Sequence, residues 1–98
     1  MKLRDIYTTA VEAGIEADAR TRAEIEHVLA AAKQEYEKLP AEERRFFDTE
    51  RLINPYDDTR IAEGDPDLEV RGLITGIDME VGEVLLADRL RERGAPID

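Results

Sequence analysis

Apolar positions in residues 1–39 recur at helical spacing and fall into two stripes. Leu3, Ile6, Tyr7, Ala10 and Val11 form the first, and Ile25, Val28, Leu29, Ala32 and Tyr36 the second. Spacings of three and four residues place each set on one face of a helix. Gly14 stands where a left-handed C-cap would close the first helix, with Ile15 just beyond to fold back on it. Thr21, followed three residues later by Glu24, has the form of a capping box, in which two orphan amides are satisfied reciprocally. Lys33, Glu35, Glu37 and Lys38 face outward on the second helix. The pattern predicts a helical hairpin.

Residues 40–66 have a different texture. Pro40 opens a short helix over residues 41–48, with Glu42 and Glu43 near its positive end. Phe46 and Phe47 are the only phenylalanines, and at least one should anchor this turn to the core. Asn54-Pro55-Tyr56-Asp57-Asp58-Thr59-Arg60 reads as an ordered loop, and Gly64-Asp65-Pro66 as a turn.

In residues 67–98 the period changes. Residues 70–78, with a core of Leu73, Ile74 and Ile77, predict a strand covered on both faces. Residues 80–93 predict a helix whose apolar face is Val81, Val84, Leu85 and Leu90, closed by Gly94. Pro96-Ile97-Asp98 looks like the first step of a second strand. The expected fold class is therefore α/β. A helical hairpin (1–39), a short helix and ordered loop (40–66) and an incomplete β-α-β unit (67–98) would make up one domain.

Ninety-eight residues suffice for one modest domain, and an apolar share of 42% is enough for a small core. The formal charge is −10, from 24 acids against 14 bases. Such a surface repels phosphate backbones and anionic lipid, so no nucleic-acid partner is expected. No apolar run approaches membrane-spanning length, and no membrane partner is expected either. The absence of cysteine excludes disulfides and thiolate chemistry and agrees with a cytoplasmic location. High acid and arginine content with few amides suits a thermophilic or halophilic source.

The chemistry on offer is sparse. His27 is the only histidine, and with no cysteine it leaves a soft metal site without a second ligand. Asp57, Asp58, Asp65, Asp67 and Asp78 lack calcium-loop spacing. No nucleophile–histidine–acid arrangement can be assembled, and no catalytic residue is assigned. Three residues, Asp78, Arg60 and Asp58, remain as candidates for contact with, or support of, a substrate. Asp78 ends the expected strand, where open α/β folds place their sites, although it could equally cap the following helix. Arg60 could read a phosphate or carboxylate, or only pair with Asp58 within its loop.

At these residues the chain resembles the NIF-three-like family. The likeness is carried by Asn54-Pro55-Tyr56-Asp57-Asp58-Thr59-Arg60, Gly64-Asp65-Pro66, Gly76-Ile77-Asp78, the run from Glu80 to Leu90, and Gly94-Ala95-Pro96-Ile97-Asp98. The opening Leu3-Arg4-Asp5-Ile6-Tyr7 and Gly14-Ile15-Glu16-Ala17-Asp18 extend it. Members of that family are often described as GTP cyclohydrolase I type 2 homologues or dinuclear metal-binding proteins, and they commonly form hexameric toroids. The resemblance implies the N-terminal portion of a metal-dependent hydrolase that assembles as a homo-oligomer through later segments. It also implies a pair of divalent metal ions in the full-length parent and none here, because the family's ligands would follow Asp98. The chain alone would then be inactive. The alternative is a small acidic protein–protein interaction domain without catalysis.

Overall fold

The computed structural model describes residues 1–98 and is all-helical. Four α-helices occur in order: α1 (Leu3–Ala17), α2 (Arg22–Lys38), α3 (Ala41–Arg44) and α4 (Val81–Glu92). A 3-10 turn, Thr49–Leu52, lies between α3 and α4. Helix accounts for 53% of residues and strand or bridge for 2%, with no sheet, so the expected α/β class is wrong. The chain divides into two compact units, Tyr7–Ala62 and Met1–Ile6 with Glu63–Asp98, and the first turn of α1 belongs to the second of these.

The Tyr7–Ala62 unit holds every buried side chain. Val11 of α1 and Ile25 and Ala32 of α2 are its apolar core, and Asn54 is buried with them. The capping box at α2 forms as the sequence predicts: the Thr21 hydroxyl accepts from the Glu24 amide at 3.3 Å, and the Glu24 carboxylate accepts from the Thr21 amide at 2.7 Å. Gly14 does not end α1, which runs on to Ala17. The hairpin itself is loose. The main packing between elements is α2 against the 3-10 turn rather than α2 against α1.

Residues 41–48 form only one helical turn, α3, before the chain breaks. Phe47 is the anchor, with its ring centroid 5.3 Å from that of Tyr36, while Phe46 is exposed. Asp48 caps the 3-10 turn by accepting from the Glu50 amide at 3.1 Å. Arg51 lies over Phe47 and makes a two-pronged ion pair with Glu35 of α2.

The other unit is a clasp of loops with one helix, and none of its residues is buried. The carbonyls of Leu68 and Pro66 accept from the amides of Leu3 and Arg4, two donors that α1 cannot satisfy internally. Lys2 bridges to Glu69 in an isolated antiparallel contact, and Val70 donates to the Met1 carbonyl at 2.9 Å. Asp65 tightens the expected turn by accepting from the Asp67 amide.

Residues 70–78 make no strand. Between Leu73 and Met79 no backbone group enters a ladder, and a strand without ladder partners leaves its amides and apolar side chains to water. Ile77, expected in the strand core, is fully exposed at 101%. Of the expected pairing between the two strands, one backbone bond remains, from the Asp98 amide to the Gly72 carbonyl at 3.0 Å. A side chain at position 72 would collide with the Pro96 carbonyl oxygen, 2.2 Å from an ideal Cβ. Beside it, the Arg71 guanidinium pairs with Asp98 and pulls its carboxyl down to about 2.

Helix α4 closes at Gly94 as predicted. With φ +88°, Gly94 lets its own amide reach the Arg91 carbonyl and the Ala95 amide reach that of Leu90, a Schellman closure. At the other end Glu80, not Asp78, holds the cap position, and its amide donates to the Glu83 carboxylate at 2.9 Å.

In urea denaturation Ile25→Ala should lower stability by about 2–4 kcal/mol, as expected for an emptied core site. Val84→Ala on α4 should stay within about 0.5 kcal/mol. Comparable losses for the two would contradict this placement of the core.

Candidate functional site

Arg60 sits in a polar constellation with groups from α1, the 3-10 turn and the loop of residues 54–60. Its guanidinium reaches Asp48 at 3.0 Å and Glu50 at 3.4 Å. The Tyr7 hydroxyl donates to Glu50 at 2.7 Å and accepts from the Asn54 side-chain amide at 2.9 Å. That amide also donates to the Thr59 carbonyl at 2.7 Å, and its oxygen accepts from the Tyr56 amide at 2.9 Å. Asn54 is only 2% exposed, and all its bonding capacity toward the loop stays within the chain. Burial, with the bond to Glu50, pushes the Tyr7 phenol up.

Arg60 pairs with Asp48 and Glu50 and not with Asp58, the partner its loop position suggested. Two carboxylates already face one guanidinium, so the cluster carries a net negative charge and would repel the phosphate or carboxylate that a free arginine would read. A tyrosine whose pKa rises is no base at neutral pH. The constellation fastens a loop.

A second clamp holds the same loop. The Tyr56 hydroxyl donates to Asp18 at 2.9 Å, and its ring lies 3.2 Å from where a Gly14 Cβ would project. Asp18 accepts two more bonds from the Arg20 side chain, at 3.0 and 2.8 Å. Arg20 is the main reason that the Asp18 carboxyl is held far below the usual carboxylate range.

The other candidates lie apart. Asp58 is exposed and accepts a long bond from the Thr59 hydroxyl at 3.4 Å. Asp78 is exposed at a bend before α4, neither capping the helix nor grouped with other acids into a cage. Nowhere do three His, Cys, Asp or Glu side chains converge as metal ligands, so the residues present do not fit a dinuclear centre within this chain. His27 lines an open groove of about 430 Å³ together with Val28, Ala31, Ala32, Pro55 and Asp57.

Two features escaped the sequence reading. Tyr7 falls on the first apolar stripe, yet its hydroxyl is a working part of the Asn54 network; the helical period marks its ring and says nothing of its oxygen. The second is an apolar surface. Val81, Val84 and Leu85, read as a packing face, are exposed at 74%, 62% and 63%. Leu90, the fourth residue of the expected face, is half-buried, as are Glu83 and Ala87.

Asn54→Ala removes the donor and acceptor that join α1 to the loop. It should lower stability in urea denaturation by about 2–3 kcal/mol, while Asp58→Asn and Asp78→Ala stay near wild type. A neutral Asn54→Ala would break the assignment of the network as a lock.

The Asp18 carboxyl, lower in the folded chain than its ordinary 3.8, contributes stability that is present above that value. The contribution fades as pH falls through the folded pKa. Melting temperature should therefore drop on acidification below about pH 4 less steeply in Asp18→Asn than in wild type. Parallel acid limbs would exclude this linkage.

Comparison with protein-family models, curated proteins and solved structures finds no match to the chain, so its site is read from geometry alone.

Proposed function

We propose that this chain is a non-catalytic protein–protein interaction element whose working surface is the apolar face at residues 77–86. The observation that carries the reading is the exposure of Ile77, Met79, Val81, Val84, Leu85 and Leu86 within ten consecutive residues. Apolar side chains exposed together, rather than scattered singly, mark interaction sites on soluble proteins. The polar constellation around Arg60 is closed on itself, and residues 77–86 carry the densest run of exposed large apolar side chains in the chain.

The reading asks no metal chemistry of these residues. It applies equally if the chain serves as the N-terminal portion of a dinuclear-metal protein of the NIF-three-like kind, where the face would be an assembly surface. No helix is long and apolar enough to cross a membrane. A cytoplasmic setting belongs to the same proposal, in keeping with a sequence free of cysteine.

Selection from a displayed peptide library tests the reading. Peptides with an apolar stripe should be recovered, and their binding should vanish in a Val81→Lys/Leu85→Lys variant whose circular dichroism and melting match wild type. Recovered peptides that bind the double variant as well as wild type would overturn it.

A further inference from the structure

We infer that this face docks a basic amphipathic segment of a partner protein, an apolar stripe flanked by lysine or arginine. The inference rests on the interaction reading above and adds the chemistry of the partner. Residues 73–87 contain three carboxylates, Asp78, Glu80 and Glu83, and no lysine or arginine. The nearest bases along the chain on either side are already engaged. Arg71 is paired with Asp98 at 2.7 Å, and Arg89 with Glu92 at 2.7 Å. Glu83 is taken up by the Glu80 amide at 2.9 Å, so the acidic margin of the apolar face is Asp78 and Glu80, both exposed and without an ion-pair partner.

Charge selects among occupants. A second copy would bring a net charge of −10 against −10 and set one acidic margin against another. Anionic lipid and phosphate backbones meet the same repulsion. A basic segment meets the opposite. Val81, Val84 and Leu85 stand three and four residues apart on one helical face, a row onto which the apolar stripe of another helix can lie. Lysines or arginines beside that stripe would reach Asp78 and Glu80.

Three fluorescent helical peptides sharing one leucine stripe, with flanks of lysine, glutamine or glutamate, test the inference by anisotropy titration. The lysine peptide should bind about three- to tenfold more tightly than the glutamine peptide, as expected of a few partly exposed charge pairs, and the glutamate peptide should bind weakest. The preference should shrink in 0.5 M NaCl, a salt level on the order of that at which exposed charges are strongly screened. Asp78→Asn/Glu80→Gln should remove it while leaving glutamine-peptide affinity unchanged, with circular dichroism checking that α4 stays helical, because Glu80 also holds its cap position. Equal binding of all three peptides would overturn the inference and leave the interaction reading standing. So would a dimer that buries the face at micromolar concentration in sedimentation equilibrium. Failure of all three peptides, with library-selected binders still dependent on Val81 and Leu85, would reject basic partners alone. Failure of both sets would reject the interaction reading as well.

Discussion

The Tyr7–Ala62 unit depends on one buried amide. Asn54 is the only buried polar side chain, and its bonds tie the Tyr7 hydroxyl of α1 to two points of its own loop, the Thr59 carbonyl and the Tyr56 amide. A side-chain amide carries a donor and an acceptor on one rigid group. Buried, it must have both satisfied or leave an orphan costing about 1–3 kcal/mol, so it holds the loop in a single arrangement. Tyr56 then reaches Asp18, and Arg60 turns toward Asp48 and Glu50. An apolar core of only Val11, Ile25 and Ala32 would not specify the course of residues 54–60 unaided.

The Glu63–Asp98 part rests on other forces. Its order comes from backbone bonds to Met1, Leu3 and Arg4, from exposed ion pairs and from the Gly94 closure of α4. Exposed pairs contribute little each. The apolar side chains before and along α4 are left to water, and that uncovered area gives this part a physical reason to associate with another molecule.

Local signals were legible where a few adjacent residues determine the outcome. The Thr21–Glu24 box, the Asp65 turn and the Gly94 stop follow from short-range chemistry and appear where the pattern puts them. The strand at residues 70–78 failed because its apolar run specifies burial but not a partner. No second strand supplies a ladder, and Leu73 and Ile77 are exposed. The Asp78 cap failed for a local reason: the helix begins two residues later, and Glu80 with Glu83 takes the reciprocal arrangement. Of the three candidate site residues, Arg60 alone enters a constellation, and its two acidic partners, separated from it by ten and twelve positions, could not be paired with it by spacing.

The polar constellation locks structure, and the face at residues 77–86 is the proposed meeting point with a partner. Hydrogen–deuterium exchange with and without a saturating lysine-flanked leucine-stripe peptide tests it most directly. Added protection should be confined to residues 77–90, with the amides of residues 48–60 unchanged. Protection centred on residues 54–60 and the Arg60 cluster, with α4 unaffected, would contradict it.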